Sequence, residues 1–230
     1  MKTINYSPYR SIDRCLRIPA GDVFLLADLQ VPRDVTTLVI FAYEFGRSRN
    51  HPRARHVARI LRENGLGTLL CDLLTEEEER EDEATSKYRH DARLLARRLL
   101  AATRWAATHD GTKHLRIAYF GVSTGAAAAM IAAAKSPKRV AAVVSRGGRL
   151  DLAAAAVRRV SCPSLLIVGE NDLVGTDLSR EAFELMTGDK EIRVVQGASH
   201  LFGEPGKLET MAQTAAEWLR HHPDNFADKS

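Results

Sequence analysis

Residues 114–129, HLRIAYFGVSTGAAAA, constrain this chain more than any other stretch. They open on a short apolar run, Leu115, Ile117, Ala118, Tyr119 and Phe120, of the kind that forms a buried strand. The run breaks at Gly121-Val122-Ser123-Thr124-Gly125, and an alanine-rich, helix-forming segment follows at once. Strand, sharp turn and helix make the context that a G-x-S-x-G nucleophile elbow requires. Such an elbow holds its serine in a strained turn, and its glycines leave room for the neighbouring strand and helix. The bare pentapeptide also fits an ordinary Gly-Ser turn; the context is what singles out Ser123 as the candidate nucleophile.

The rest of the chain alternates in the same way. Residues 16–18 and 23–29 flank the turn-rich Pro19-Ala20-Gly21-Asp22 and suggest an antiparallel hairpin, preceded by a loose arm over residues 1–12. Residues 36–42, TTLVIFA, read as a strand buried on both faces. A polar, arginine-rich loop spans 43–52, and residues 53–64 carry Val57, Ile60 and Leu61 at helical spacing before Gly65. Residues 68–74 read as a strand. The acidic run over 76–86 reads as a solvated loop or first helical turn, with a lid over a pocket as the other reading. A long helix is predicted over 87–109, strands over 140–144, 164–168 and 192–195, and helices over 150–158, 176–186 and 207–220. Strands alternating with helices from residue 36 onward predict a single α/β domain over 1–230, with a mostly parallel sheet covered on both faces and antiparallel strands at its N-terminal edge.

A serine hydroxyl becomes a useful nucleophile only beside a base that a third group orients. On an elbow scaffold the acid and then the histidine follow the serine, near the carboxyl ends of later strands. Asp172 follows the apolar run SLLIVGE, with Glu170 its nearest rival and Asp151 a more distant one. His200 follows IRVVQ on the loop before the last helix, while the seven other histidines precede the elbow, lie near the long helix or fall in the tail. Oxyanion donors are expected from the backbone N–H of Thr124 and, after the earlier strand, of Phe45.

Composition narrows the partners. The net charge of +4 is scattered, and no Lys/Arg run is interleaved with aromatics, so no nucleic-acid partner is expected. The three cysteines lack C-x-x-C spacing, which argues against a disulfide framework or a zinc site. No stretch has signal-peptide or membrane-span character, so a cytoplasmic location is expected. Oligomeric state is not legible.

These segments together resemble the dienelactone hydrolase-like branch of the α/β-hydrolases. The likeness rests on Ile18-Pro19-Ala20-Gly21, on Tyr119-Phe120 leading into the elbow and on Ser145-Arg146-Gly147-Gly148. It rests also on Leu165-Leu166-Ile167-Val168-Gly169 with Asp172 and on His200-Leu201-Phe202. The resemblance implies an eight-stranded sheet and a Ser123, Asp172, His200 triad, and the site residues are read as those of a serine hydrolase for a small ester or lactone, for which no metal or organic cofactor is expected. This chain departs from the family in two respects: dienelactone hydrolases proper use cysteine where Ser123 stands, and Glu204 occupies the neighbourhood of their carboxylate-binding arginine. The loop Tyr43-Glu44-Phe45-Gly46 resembles the family's glutamate-bearing segment, which would aim Glu44 at the nucleophile. A solvated Glu44 paired with Arg47 or Arg49 is the alternative. Tyr43, Glu44 and Arg146 are candidate substrate contacts, although Arg146 also fits a structural arginine that satisfies loop carbonyls. An acyltransferase, a lyase, or a binding protein with an impaired oxyanion loop stays open beside the esterase reading.

Overall fold

The computed structural model describes residues 12–43 and 49–222. Strands β1 (Ile12–Ala20) and β2 (Val23–Val31) form the expected antiparallel hairpin, closed at Gly21. Ile12 pairs with Val31, so it belongs to the sheet and not to a loose arm; residues 1–11 lie outside the described residues. Then follow β3 (Thr37–Ala42), α1 (Pro52–Glu63), β4 (Gly67–Cys71), α2 (Glu76–Thr85), α3 (Ala92–Ala106), β5 (Arg116–Val122) and α4 (Thr124–Lys135). The chain continues with β6 (Val140–Arg146), a 3-10 turn (Leu150–Ala153), α5 (Ala154–Val157), β7 (Ser164–Gly169), α6 (Leu173–Leu185), β8 (Lys190–Val195) and α7 (Lys207–His221).

The eight strands form one sheet in the order β1-β2-β4-β3-β5-β6-β7-β8. Pairs β1/β2 and β2/β4 are antiparallel, and every later pair is parallel. The central strands are buried along their length, save Arg116 at the start of β5, because both faces are covered. Strand β3 shows the division: Leu38 and Ile40 point into one core, Val39 and Phe41 into the other. The first core takes α3, α4 and Ala182 of α6, and the second takes α1 and α7. Among the described residues no helix is long and apolar enough to cross a membrane.

Several segments depart from expectation, two of them here because of a capping side chain. The acidic run is a full helix, α2, because Thr75 and Glu78 form a reciprocal capping box at its start. Nor is that run simply solvated. Asp82 is buried and accepts the Tyr88 and Arg89 backbone N–H groups and the Arg89 guanidinium. Helix α3 starts at Ala92 rather than at residue 87, because the Asp91 side chain accepts the Leu94 N–H and caps it. Strand β4 stops at Cys71, short of the expected residue 74.

Candidate active site

Ser123 stands between β5 and α4 with φ 52° and ψ −121°, a conformation that costs a non-glycine residue on the order of 1–3 kcal/mol. Its surroundings enforce it. A Cβ on Gly121 would lie 2.4 Å from the Ala126 Cα, and one on Gly125 would lie 2.0 Å from the Ala42 carbonyl oxygen. The two glycines thus let α4 approach the ends of β5 and β3. The Ser123 N–H donates to the Arg146 carbonyl at 3.3 Å, and its own carbonyl accepts from Ala126 and Arg149 at 3.0 and 3.1 Å. Thr124 opens α4, so its N–H is among the first four of the helix, which have no intrahelical acceptor.

One residue beyond Arg146, Gly147 has φ 51° and lies against the imidazole of His200; a Cβ there would sit 3.0 Å from Cε1 and 3.2 Å from Nδ1. His200 Nδ1 is 2.6 Å from Asp172 Oδ2, a short hydrogen bond of the kind that an ionised carboxylate favours. The carboxylate is buried, whereas the imidazole is 41% exposed and open to a ligand. The second Asp172 oxygen accepts the Gly175 N–H at 3.0 Å, which makes Asp172 the cap of α6 and starts that helix three residues earlier than expected. The rival acids are held elsewhere. Glu170 accepts the Gly197 N–H at 2.7 Å, and Asp151 binds Arg149 through both oxygens at 2.9 and 2.8 Å.

The loop that carries His200 is tied down residue by residue. Both Glu204 carboxylate oxygens accept the Ser199 N–H, at 3.2 and 3.1 Å; the Ser199 side chain first, with backbone N–H groups of Glu204 and Ser199, holds the Glu204 pKa below the usual range. Asn171 donates to the Ala198 carbonyl at 2.9 Å. Arg146, the last residue of β6, is buried; its Nη2 donates to the Leu201 carbonyl at 3.1 Å and its guanidinium lies 5.1 Å from the Phe202 ring centroid. Arg53 donates to the same carbonyl. Sequence reasoning missed Gly147, Glu170 and Glu204 as supports of this loop, because their roles exist only once three strand ends lie side by side.

Of the remaining expected residues, Tyr43 is buried, with its ring 6.3 Å from Phe41 and 5.8 Å from His51. Glu44 and Phe45, with the second expected oxyanion donor, lie outside the described residues. Arg49, one of the partners considered for Glu44, binds Asp72 through its backbone N–H at 2.9 Å and its Nε at 3.2 Å. Burial pushes the Asp72 pKa up to about 6 against these bonds. A cavity of about 730 Å³ beside this pair is lined by Arg17, Phe24, Asp72, Glu76 and Glu79, so α2 does border a cavity, though not one that Ser123 lines.

An eight-stranded, mostly parallel sheet with a strained serine between β5 and its following helix defines the class as the α/β-hydrolases. Within that class the chain belongs to the dienelactone hydrolase family, whose model matches residues 25–227. The chain is similar to a dienelactone hydrolase of known structure from Anabaena variabilis: 45% identity, TM-score 0.90, with 93% of this chain and 99% of that chain covered. It shares its fold with Est1E from Butyrivibrio proteoclasticus, solved with ferulic acid bound, at 17% identity and TM-score 0.76 over 90% of this chain and 98% of that one. A Mycobacterium tuberculosis protein named "Putative phosphoribosyl transferase" is 45% identical over 210 residues. That match covers 91% of this chain but 46% of the relative, so the chain spans about half the length of that protein. Family and fold together support a hydrolase.

Proposed function

We propose that the chain is a serine hydrolase that cleaves a small carboxylic ester or lactone through Ser123, His200 and Asp172. In this reading the Ser123 hydroxyl attacks the carbonyl carbon while the far nitrogen of His200 takes its proton. Asp172 fixes the imidazole tautomer through Nδ1 and balances the charge that develops. The Thr124 N–H, with that of Phe45 as the second donor, receives the negative oxygen of the tetrahedral intermediate. The alcohol leaves with the proton from His200, and water, deprotonated by the same imidazole, then hydrolyses the acyl-enzyme.

The observation that carries this reading is the 2.6 Å contact between His200 and Asp172, set against the backbone that follows the Ser123 N–H acceptor. The phosphoribosyl transfer in the relative's name is not carried over. This chain and the relative share the portion that the hydrolase-family model describes, and more than half of the relative lies outside the match. The esterase reading is tested with a fluorophosphonate probe, which needs an activated serine and a working oxyanion site but little else. The intact protein is expected to label and Ser123→Ala to remain unlabelled. A well-folded intact protein that does not label would overturn the proposal.

A further inference from the structure

The hairpin at the sheet edge has one covered and one open face. Leu25, Ala27 and Leu29 of β2 enter the core beneath α3, so by strand alternation Asp28 and Gln30 point the other way, beside α1. Between that face and α1 lies a groove of about 540 Å³. Three guanidinium groups line it, Arg55, Arg59 and Arg62 from α1, against two carboxylates, Asp13 and Asp28, whose strand partners Gln30 and Cys15 share the open face. The three α1 arginines follow one another at helical spacing on a single face, where like charges repel.

Their existing partners do not discharge them. Arg59 reaches Glu63 at 2.9 Å, but Arg62 donates to the neutral hydroxyl of Thr68 at 3.0 Å. Asp28 lies 3.7 Å from Arg49, outside the α1 row. Among the described residues Arg55 makes no ion pair. Half-buried Arg62 is held below the ordinary arginine pKa, first by burial, with Asp13 and Glu63 opposing and the charges of Arg55 and Arg59 adding to it. An anion in the groove would turn this mutual repulsion into attraction.

The chemistry of that anion follows from the lining. Guanidinium forks match the oxygens of a phosphate group, and a phosphate monoester carries between one and two negative charges near neutrality. Three cations against two carboxylates, one of which, Asp28, also faces Arg49, leave an excess that such a group balances. The volume falls within the range of small-molecule sites, so the groove has room for an organic portion beside the phosphate, with the Gln30 amide available to it. We propose that the groove between α1 and the open hairpin face is a binding site for an organic phosphate monoester, separate from the Ser123 site.

The groove carries its own reporter. Cys15 lines it and is exposed, while Cys71 and Cys162 are buried. A disulfide dye therefore reads Cys15 in the native protein. With AMP as probe, Cys15 labelling is expected to slow in a saturable manner, and adenosine at the same concentration is expected to leave it unchanged. Arg55→Gln and Arg59→Gln, both at exposed positions, should each raise the AMP concentration needed by at least about tenfold, the worth of one charge-assisted hydrogen bond. Fluorophosphonate labelling should be unaffected by either change. Labelling that millimolar AMP does not slow, equal protection by adenosine, or protection that survives both substitutions would each overturn the proposal.

Discussion

Gly147→Ala tests the link between backbone and chemistry, because Gly21 provides a matched control. Both glycines have positive φ, 51° at Gly147 and 72° at Gly21, so alanine at either place costs about 1–2 kcal/mol of backbone strain. In a chain of this size that corresponds to a fall in Tm of roughly 2–8 °C. The two sites differ in what the new methyl group meets. At Gly21 nothing lies within 4 Å, whereas at Gly147 the His200 ring atoms lie at 3.0 and 3.2 Å. Ordinary carbon contacts need about 3.5–4.0 Å, so the imidazole must retreat by about 0.5 Å or more. A misplacement of 1 Å in a catalytic group costs about a hundredfold, so half of that should lower kcat/KM by about tenfold. Hydrolysis of p-nitrophenyl acetate and the rate of fluorophosphonate labelling read the activity, and thermal unfolding reads the strain. Both variants should lose similar stability, and Gly147→Ala alone should lose activity. Parental kcat/KM in Gly147→Ala, beside a Tm drop like that of Gly21→Ala, would refute the assignment of His200 as a base held by this contact.

Asp172→Asn keeps an acceptor for the Gly175 N–H, so α6 stays capped and Tm should change little. It removes the charge at His200 Nδ1, and kcat should fall by about 10³–10⁴-fold, measured with the same ester. Asp72 has a folded-state pKa of about 6 against an ordinary 3.8, because burial outweighs its bonds to Arg49. Its stabilising contribution is therefore complete below pH 4 and is lost as pH rises through about 6. Between pH 4 and pH 7, denaturant titrations should show the parent losing up to about 3 kcal/mol relative to Asp72→Asn. A pH-independent difference between the two proteins would show that Asp72 ionises as freely in the fold as outside it.

Much of the scaffold was legible because its strands are apolar on both faces. TTLVIFA and SLLIVG have no polar side to present, which leaves them only the middle of a covered sheet. Helix starts were less legible where one polar residue had two uses. Asp172 was read as the triad acid, and it also caps α6. Asp91 caps α3 from inside what looked like a longer helix. Thr75 and Glu78 could have revealed α2, since their three-residue spacing is the capping-box signature, but the density of charge around them pointed to solvent. Order along the chain brought Ser123, Asp172 and His200 forward as candidates. It could not bring forward Gly147 or Glu204, whose contacts link segments from β6 and from the loop before α7.

Helix α4, which stands directly behind Ser123, is buried through ten consecutive residues, six of them alanine. Alanine has no side-chain torsion to freeze on folding, so this backing adds almost no rotamer disorder to the elbow and has none to give up. It behaves as a solid mount. A larger side chain there cannot swing aside, and its bulk would be passed to the serine as a shift of the whole helix. Changes in substrate range during divergence of this family are thus steered away from the mount and toward the loops at the strand ends, where a substitution can alter the pocket and leave the nucleophile in place.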